Sequence, residues 1–318
     1  VSRLGEGGIP SADAIPDEAR DVQPSHMGYI DPLRTPESFR TGVDLYMSRS
    51  VQKGKDGKIY TQFIDPRTGK KIWRTPQDVS NLTVAFPDSM DKSGKRVAVM
   101  KAGKMGWAKK QEIDLVLPSF EDALSPLANI IPLKGMVKGQ RLVMASRMST
   151  QALPLVDPES PLVQSAIPGT EGKRSYEEEY SPQMGSMHAK AAGKVLDVSG
   201  DNIKVQYNDG TEEELEVYNN FPFNRKTFLH QTPVVEAGMS FQKGQLLSRS
   251  NFTDNKGTTA LGKNARVAYL SWQGKNFEDA VVISEGFAKR MSSEHMYQYD
   301  LEFDKNTKLG KNSYISLF

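Results

Sequence analysis

Three stretches of this chain gather residue types that handle phosphate and metal ions. The first runs from Arg20 to Gly42 and holds His26, Arg34, Glu37 and Arg40. Arginine presents a planar fork of N–H donors that grips phosphate with little further ordering. Pro24, Pro32 and Pro36 stiffen this stretch, while Gly28 and Gly42 permit tight turns. Taken alone, such a charge run reads first as a solvated, self-neutralising loop. The second stretch, Lys138 to Leu155, carries Gln140, Arg141, Arg147 and Gln151. Its two guanidiniums can each fork onto an anion, or stand solvated on a helix surface. Met144 and Met148, four apart, read instead as the apolar edge of a helix turned to the core. The third stretch, Ala268 to Glu285, is an apolar run, a turn at Gly274, then Asn276, the adjacent acids Glu278 and Asp279, and another apolar run. Magnesium takes oxygen ligands, typically one or two carboxylates with water and phosphate. The plain alternative for this acid pair is an acidic helix start, favoured by the macrodipole.

Composition bounds the chemistry. The chain has 318 residues and no cysteine, which excludes disulfides, cysteine-ligated zinc and thiol nucleophiles. Forty-one basic residues against 39 acidic ones leave a net charge of +2, so any basic surface is local. His188, His230 and His295 are scattered without metal-ligand spacing. No apolar stretch has the length of a membrane span, and no signal peptide is visible. A cytoplasmic location with no membrane partner is therefore expected. The chain begins at Val1 rather than Met, which reads as a segment of a longer polypeptide.

The elements that must position these stretches are mostly extended. Lys58–Ile64 and Lys70–Arg74 flank a Pro/Gly turn and predict a hairpin. Its basic residues, with Tyr60, Phe63 and Trp73, read first as a solvated face and only second as a backbone-tracking surface. Arg96–Lys101 followed by a turn predicts a second hairpin. Lys194–Val198, Ile203–Tyr207 and the run from Glu212 to Val217, with Asp209-Gly210 between the last two, predict a third β unit. Residues 119–131 suit a short helical piece interrupted at Pro126, and 287–296 a helix. Residues 132–163 show no clean periodicity, and 297–303 alternate as a strand would. The pattern predicts a mostly β protein of small barrels and hairpins with few helices.

The three stretches also resemble, in order, motifs of the β (second-largest) subunit of multisubunit RNA polymerases. Ser25, His26, Gly28, Thr35, Pro36, Glu37 and Gly42 match one motif, with Arg34, Ser38, Phe39 and Arg40 replacing its Glu, Gly, Pro and Asn. Arg141, Met144, Met148, Gln151, Ala152 and Pro154 match a second, with Gln140 and Arg147 in place of asparagines. Asn276, Phe277, Glu278 and Asp279, followed by Ser284-Glu285, match a third. Leu4–Ile9, Pro161-Leu162-Val163 and Asp304–Gly310 add weaker matches in the same order.

This resemblance implies a mainly β fold with some α, part of a double-psi β-barrel with β-rich insertions. The implied division is 1–45 fork loop and cleft-lining segment, 46–130 insert, 131–165 barrel, 166–235 insert and 236–318 barrel leading to the flap. It implies DNA-directed RNA synthesis as one subunit, inactive alone. Arg141, Glu278 and Asp279 take catalytic roles, Asp279 at a second Mg2+ brought with the nucleotide. Gln140, Arg147, Gln151, Glu37, Arg34, Arg40, His26 and Asn276 are the implied nucleic-acid and substrate contacts. The implied partners are a β′-like largest subunit holding the catalytic aspartates and most of the Mg2+ coordination, the remaining β segments, DNA, RNA, nucleoside triphosphates and an initiation factor. The many substitutions inside the motifs point to a phage-encoded or otherwise divergent polymerase. Two other classes stand beside this: a noncatalytic nucleic-acid-binding or assembly module, and a metal hydrolase using Glu37 with Glu278 or Asp279, which lacks a third ligand or base.

Overall fold

The computed structural model describes residues 2–297 apart from 7, 92, 102–103 and 224–226. The strand expected at 297–303 and the Asp304–Gly310 match lie outside the described residues, save Tyr297.

All three predicted β units form. Ile59–Ile64 pairs antiparallel with Lys71–Arg74. Arg96–Lys101 pairs in full register with Lys104–Lys109. Asn202–Tyr207 lies between Gly193–Ser199 and Glu212–Glu216. The first two units join a seven-stranded sheet, in which Leu115–Val116 links Ile59–Ile64 to Val84–Ala85. The central strands of that sheet are buried on both faces. Val84 and Met100 join Phe63, Val79, Leu115 and Leu117 on one side, whereas Ala85, Val97 and Val99 join Ala108 and Ile113 on the other. Alternate residues of one strand therefore feed two cores, as the pleat requires. The third unit adds Ser240–Phe241 at its edge and packs Val195, Ile203, Val205, Phe241 and Leu247 into a separate core. Gln231–Pro233, Leu246–Ser250 and Met187–His188 make a three-stranded sheet, and Phe221–Pro222 with Phe228–Leu229 a two-stranded one.

The double-psi barrel expectation is not met: this is a mixed α/β fold of several separate sheets. Among the described residues every sheet ends in edge strands and none closes. Closure demands a continuous ring of tilted, paired strands. Residues 131–165, expected to supply barrel strands, instead carry the helix Gly139–Thr150, the longest described. Between 236 and 297 the named strands end at Ser250.

The helix Gly139–Thr150 escaped periodicity because it buries only Leu142, Val143 and Ser146. Pro126 does not interrupt a helix. It opens the one-turn helix Pro126–Asn129 at its first position, where a missing N–H costs nothing. The last helix runs Glu285–Arg290, with the Ser284 side chain accepting from the Phe287 N–H. No described helix is long and apolar enough to cross a membrane.

Candidate functional site

The loop after Pro24 is anchored from beneath. Met27 and Tyr29 are buried in the first core, and the Tyr29 hydroxyl donates to the Arg74 carbonyl at 2.6 Å. Arg20 spends its guanidinium on carbonyls, donating to Ala12 at 2.6 Å, Phe39 at 2.7 Å and Ile15 at 3.1 Å. It is thus the brace of the loop. Gly42, at φ +72°, lies so close to Arg20 that a Cβ there would come within 2.6 Å of its carbonyl oxygen. Only glycine meets both demands. His26 accepts from the Gln23 N–H through Nδ1 at 3.3 Å, and burial followed by the nearby Arg3 charge lowers its pKa.

The two arginines peculiar to this loop part company. Arg40 is exposed and reaches Asp44 at 3.4 Å. Arg34 is buried, 3% exposed, with its guanidinium 3.9 Å from the Tyr46 ring centroid. Glu37 is exposed and meets Arg147 of the helix at 3.6 Å, so the first and second motifs are neighbours in space.

On the helix Gly139–Thr150 the buried side carries Leu142, Val143 and Ser146, and the opposite side leaves Gln140, Arg141, Met144, Arg147 and Met148 exposed, with Gln151 just beyond. Met144 and Met148 are 41% and 58% exposed, against the expectation of a core edge. At 3.6 residues per turn the packing stripe of Leu142, Val143 and Ser146 lies about half a turn away from them. Arg141 lies against Met144, Nη1 to Sδ 3.3 Å. A cation flanked by flexible thioethers on an open helix face suits an extended anionic ligand.

The third motif is a shaped turn. Asn276 accepts from the Trp272 N–H at 2.8 Å and donates to the Leu270 carbonyl at 2.6 Å. Glu278 has φ +58°, a left-handed conformation uncommon outside glycine. The acids do not begin a helix, since the helix starts at Glu285. Both are exposed, and among the described residues no hydrogen bond or ion pair joins them to Arg141. Nor do three or more His, Asp or Glu side chains gather as a metal cage among the described residues. Exposed carboxylate oxygens are the donor type that magnesium takes, with water and phosphate as its usual further ligands.

Sequence reasoning missed the junction that ties this arm down. Lys263 pairs with Asp157 at 2.8 Å and Glu159 at 3.2 Å, and Arg290 reaches Glu159 at 2.6 Å. Backbone bridges Leu155–Ser293 and Glu159–Gly262 run alongside. The Asn264 backbone N–H, then Arg290 and Lys263, hold the Glu159 carboxyl down at about 2. Partners a hundred residues apart leave no local signal. In the basic hairpin Phe63 is fully buried and Tyr60 bonds Asp56 at 2.8 Å, which leaves Trp73, 40% exposed, as the open aromatic of the three.

Known proteins resemble this chain over nearly its whole length. Residues 188–317 match the family model described as RNA polymerase Rpb2, domain 6. The chain is similar to a segment of the RNA polymerase β-subunit family. It is 32% identical to the DNA-directed RNA polymerase subunit beta of Caldicellulosiruptor bescii, over 98% of this chain and 25% of that protein. Against the beta subunit of Thermus thermophilus identity is 30%, over 98% of this chain and 28% of that protein. For Aquifex aeolicus the figures are 28%, 98% and 22%. The chain thus spans about a quarter of the length of the curated relatives it matches.

Proposed function

We propose that this chain is part of the β subunit of a multisubunit DNA-dependent RNA polymerase and contributes to its nucleotide-binding wall. The observation that carries this reading is the open face of the helix Gly139–Thr150. Arg141 stands there exposed, and Arg147 ties the helix to Glu37 of the loop below.

In this reading Arg141 grips the triphosphate of the incoming nucleotide, and its charge counters the negative charge that grows on the phosphoryl group during transfer. Gln140, Arg147 and Gln151 flank it as polar contacts to nucleotide or hybrid. Glu37 orients Arg147, while Arg40 and His26 approach the nucleic-acid backbone. Arg34 is buried and has no part in that surface. Asn276 sets the turn that presents Glu278 and Asp279, with Asp279 offering an oxygen to the nucleotide-borne ion. Mg2+, when bound, neutralises charge on the phosphates. Its principal ligands, the catalytic aspartates, come from a β′-like largest subunit. Further β segments, template DNA, the RNA product and an initiation factor complete the assembly.

The exposed apolar side chains of the arm support such partners. Tyr269 is 97% exposed and Phe277 77%. Contiguous uncovered apolar surface marks contact with other chains or segments. In the assembled enzyme Arg141→Ala should raise the apparent nucleotide KM or lower the rate by about tenfold or more, a loss of at least ~1.4 kcal/mol of transition-state binding. Unchanged incorporation kinetics across nucleotide concentrations would remove Arg141 from the site. Copurification with a large aspartate-bearing partner tests the assembly itself.

A further inference from the structure

Beneath the first motif lies a cavity of about 280 Å³, lined among others by Arg34, Tyr46, Ser125, Thr150 and Thr259. Arg34 is the one charged side chain among its lining residues. Its Nε and Nη2 are buried and without a hydrogen-bond partner in the protein. The Ser125 and Thr259 hydroxyls, on residues 1% and 2% exposed, are likewise buried and unpartnered.

Orphan polar atoms inside a protein are uncommon, and several around one cavity are more so. The obvious counter-charge is committed elsewhere. Asp31 accepts through one oxygen from the Leu33 N–H at 2.9 Å and the Arg34 N–H at 3.2 Å, and through the other from the Ser125 N–H at 2.7 Å. Tyr46 takes the guanidinium through its ring face. A stacked guanidinium keeps its in-plane N–H fork free for an oxygen ligand.

We propose that this cavity is a binding site for a small oxyanion of the phosphate class. Arg34 supplies charge and the fork. Ser125 and Thr259, from two other segments of the lining, supply hydroxyl donors beyond the fork, and a phosphate has oxygens to take them where a carboxylate held by the fork does not. The volume admits a phosphate with water, or a small phosphorylated molecule. The site is separate from Arg141, which stands on an exposed helix face.

The test is ligand-dependent thermal stability and calorimetry of the full chain, in the assembly with which it purifies. Inorganic phosphate, AMP and acetate serve as probes. Phosphate or AMP should raise Tm saturably, by several degrees, with acetate at least tenfold weaker. Response to phosphate alone assigns a free ion, and tighter binding of AMP assigns a phosphorylated ligand. Arg34→Met, which keeps an apolar stem over Tyr46, should abolish the response. Should that variant not fold, Thr259→Val and Ser125→Ala should each weaken phosphate binding several-fold. No saturable response in the wild-type chain overturns the proposal. So does an unchanged response in Arg34→Met or in both hydroxyl variants, or acetate binding as tightly as phosphate. Because nucleotide incorporation is not measured, failure here leaves the reading of Arg141 standing.

Discussion

The sheet built from residues 52–116 and the arm from 265 to 283 carry comparable apolar side chains, yet they treat them oppositely. In the sheet, Phe63, Val84 and Ala85 are fully buried. In the arm, Val267, Tyr269, Leu270, Trp272, Phe277 and Val281 stand in the open. The sheet closes its own hydrophobic account, and the arm is held by a few polar ties at its base. The segment bearing the third motif is thus the one that leaves its apolar side chains uncovered. A surface that must receive other chains or ligands cannot also be a filled core.

That contrast can be broken in several ways. The largest effect is expected at Phe63→Ala, which should cost about 4 kcal/mol by emptying the core. Phe277→Ala should change the chain's own stability by less than about 0.5 kcal/mol. Denaturant melts of both variants check this, and a large loss at Phe277 would mean that the arm is packed after all. Arg49→Ala comes next. Arg49 binds Glu179 at 2.9 and 3.2 Å and Asp122 at 2.9 Å, joining segments far apart in sequence. Its loss should cost about 2 kcal/mol, the scale of part-buried charged hydrogen bonds.

The junction at the arm's base should respond to acid. The carboxyl of Glu159 is pulled from 4.5 to about 2. A depressed carboxyl contributes stability that is full above its unfolded value and lost as pH falls through the folded one. Protection of the Val156 and Glu294 amides, taken relative to intrinsic hydrogen exchange at each pH, should therefore fall between pH 4.5 and 2, and Glu159→Gln should flatten that response. The smallest effect belongs to Arg147 and Glu37, an exposed pair at 3.6 Å. A double-mutant cycle should return a coupling under about 1 kcal/mol.

Local pattern was enough for some of this. The three β units were legible because alternation and turn residues act within a few positions, as at Asp209-Gly210. The motif stretches were legible through residue types and order. The helix Gly139–Thr150 was not, because its buried stripe is only three side chains wide. Barrel closure was expected from family resemblance and failed because it is a property of how distant strands meet.

By itself the sequence determined the hairpins, the absence of cysteine chemistry and the order of the three motif stretches, since these rest on composition and near neighbours. Only the tertiary structure decided that Arg34 is buried while Arg40 is exposed, that Glu37 meets Arg147, and that the acid pair sits on an uncovered arm. Burial and pairing of this kind sum contributions from segments a hundred residues apart, and no local pattern encodes them.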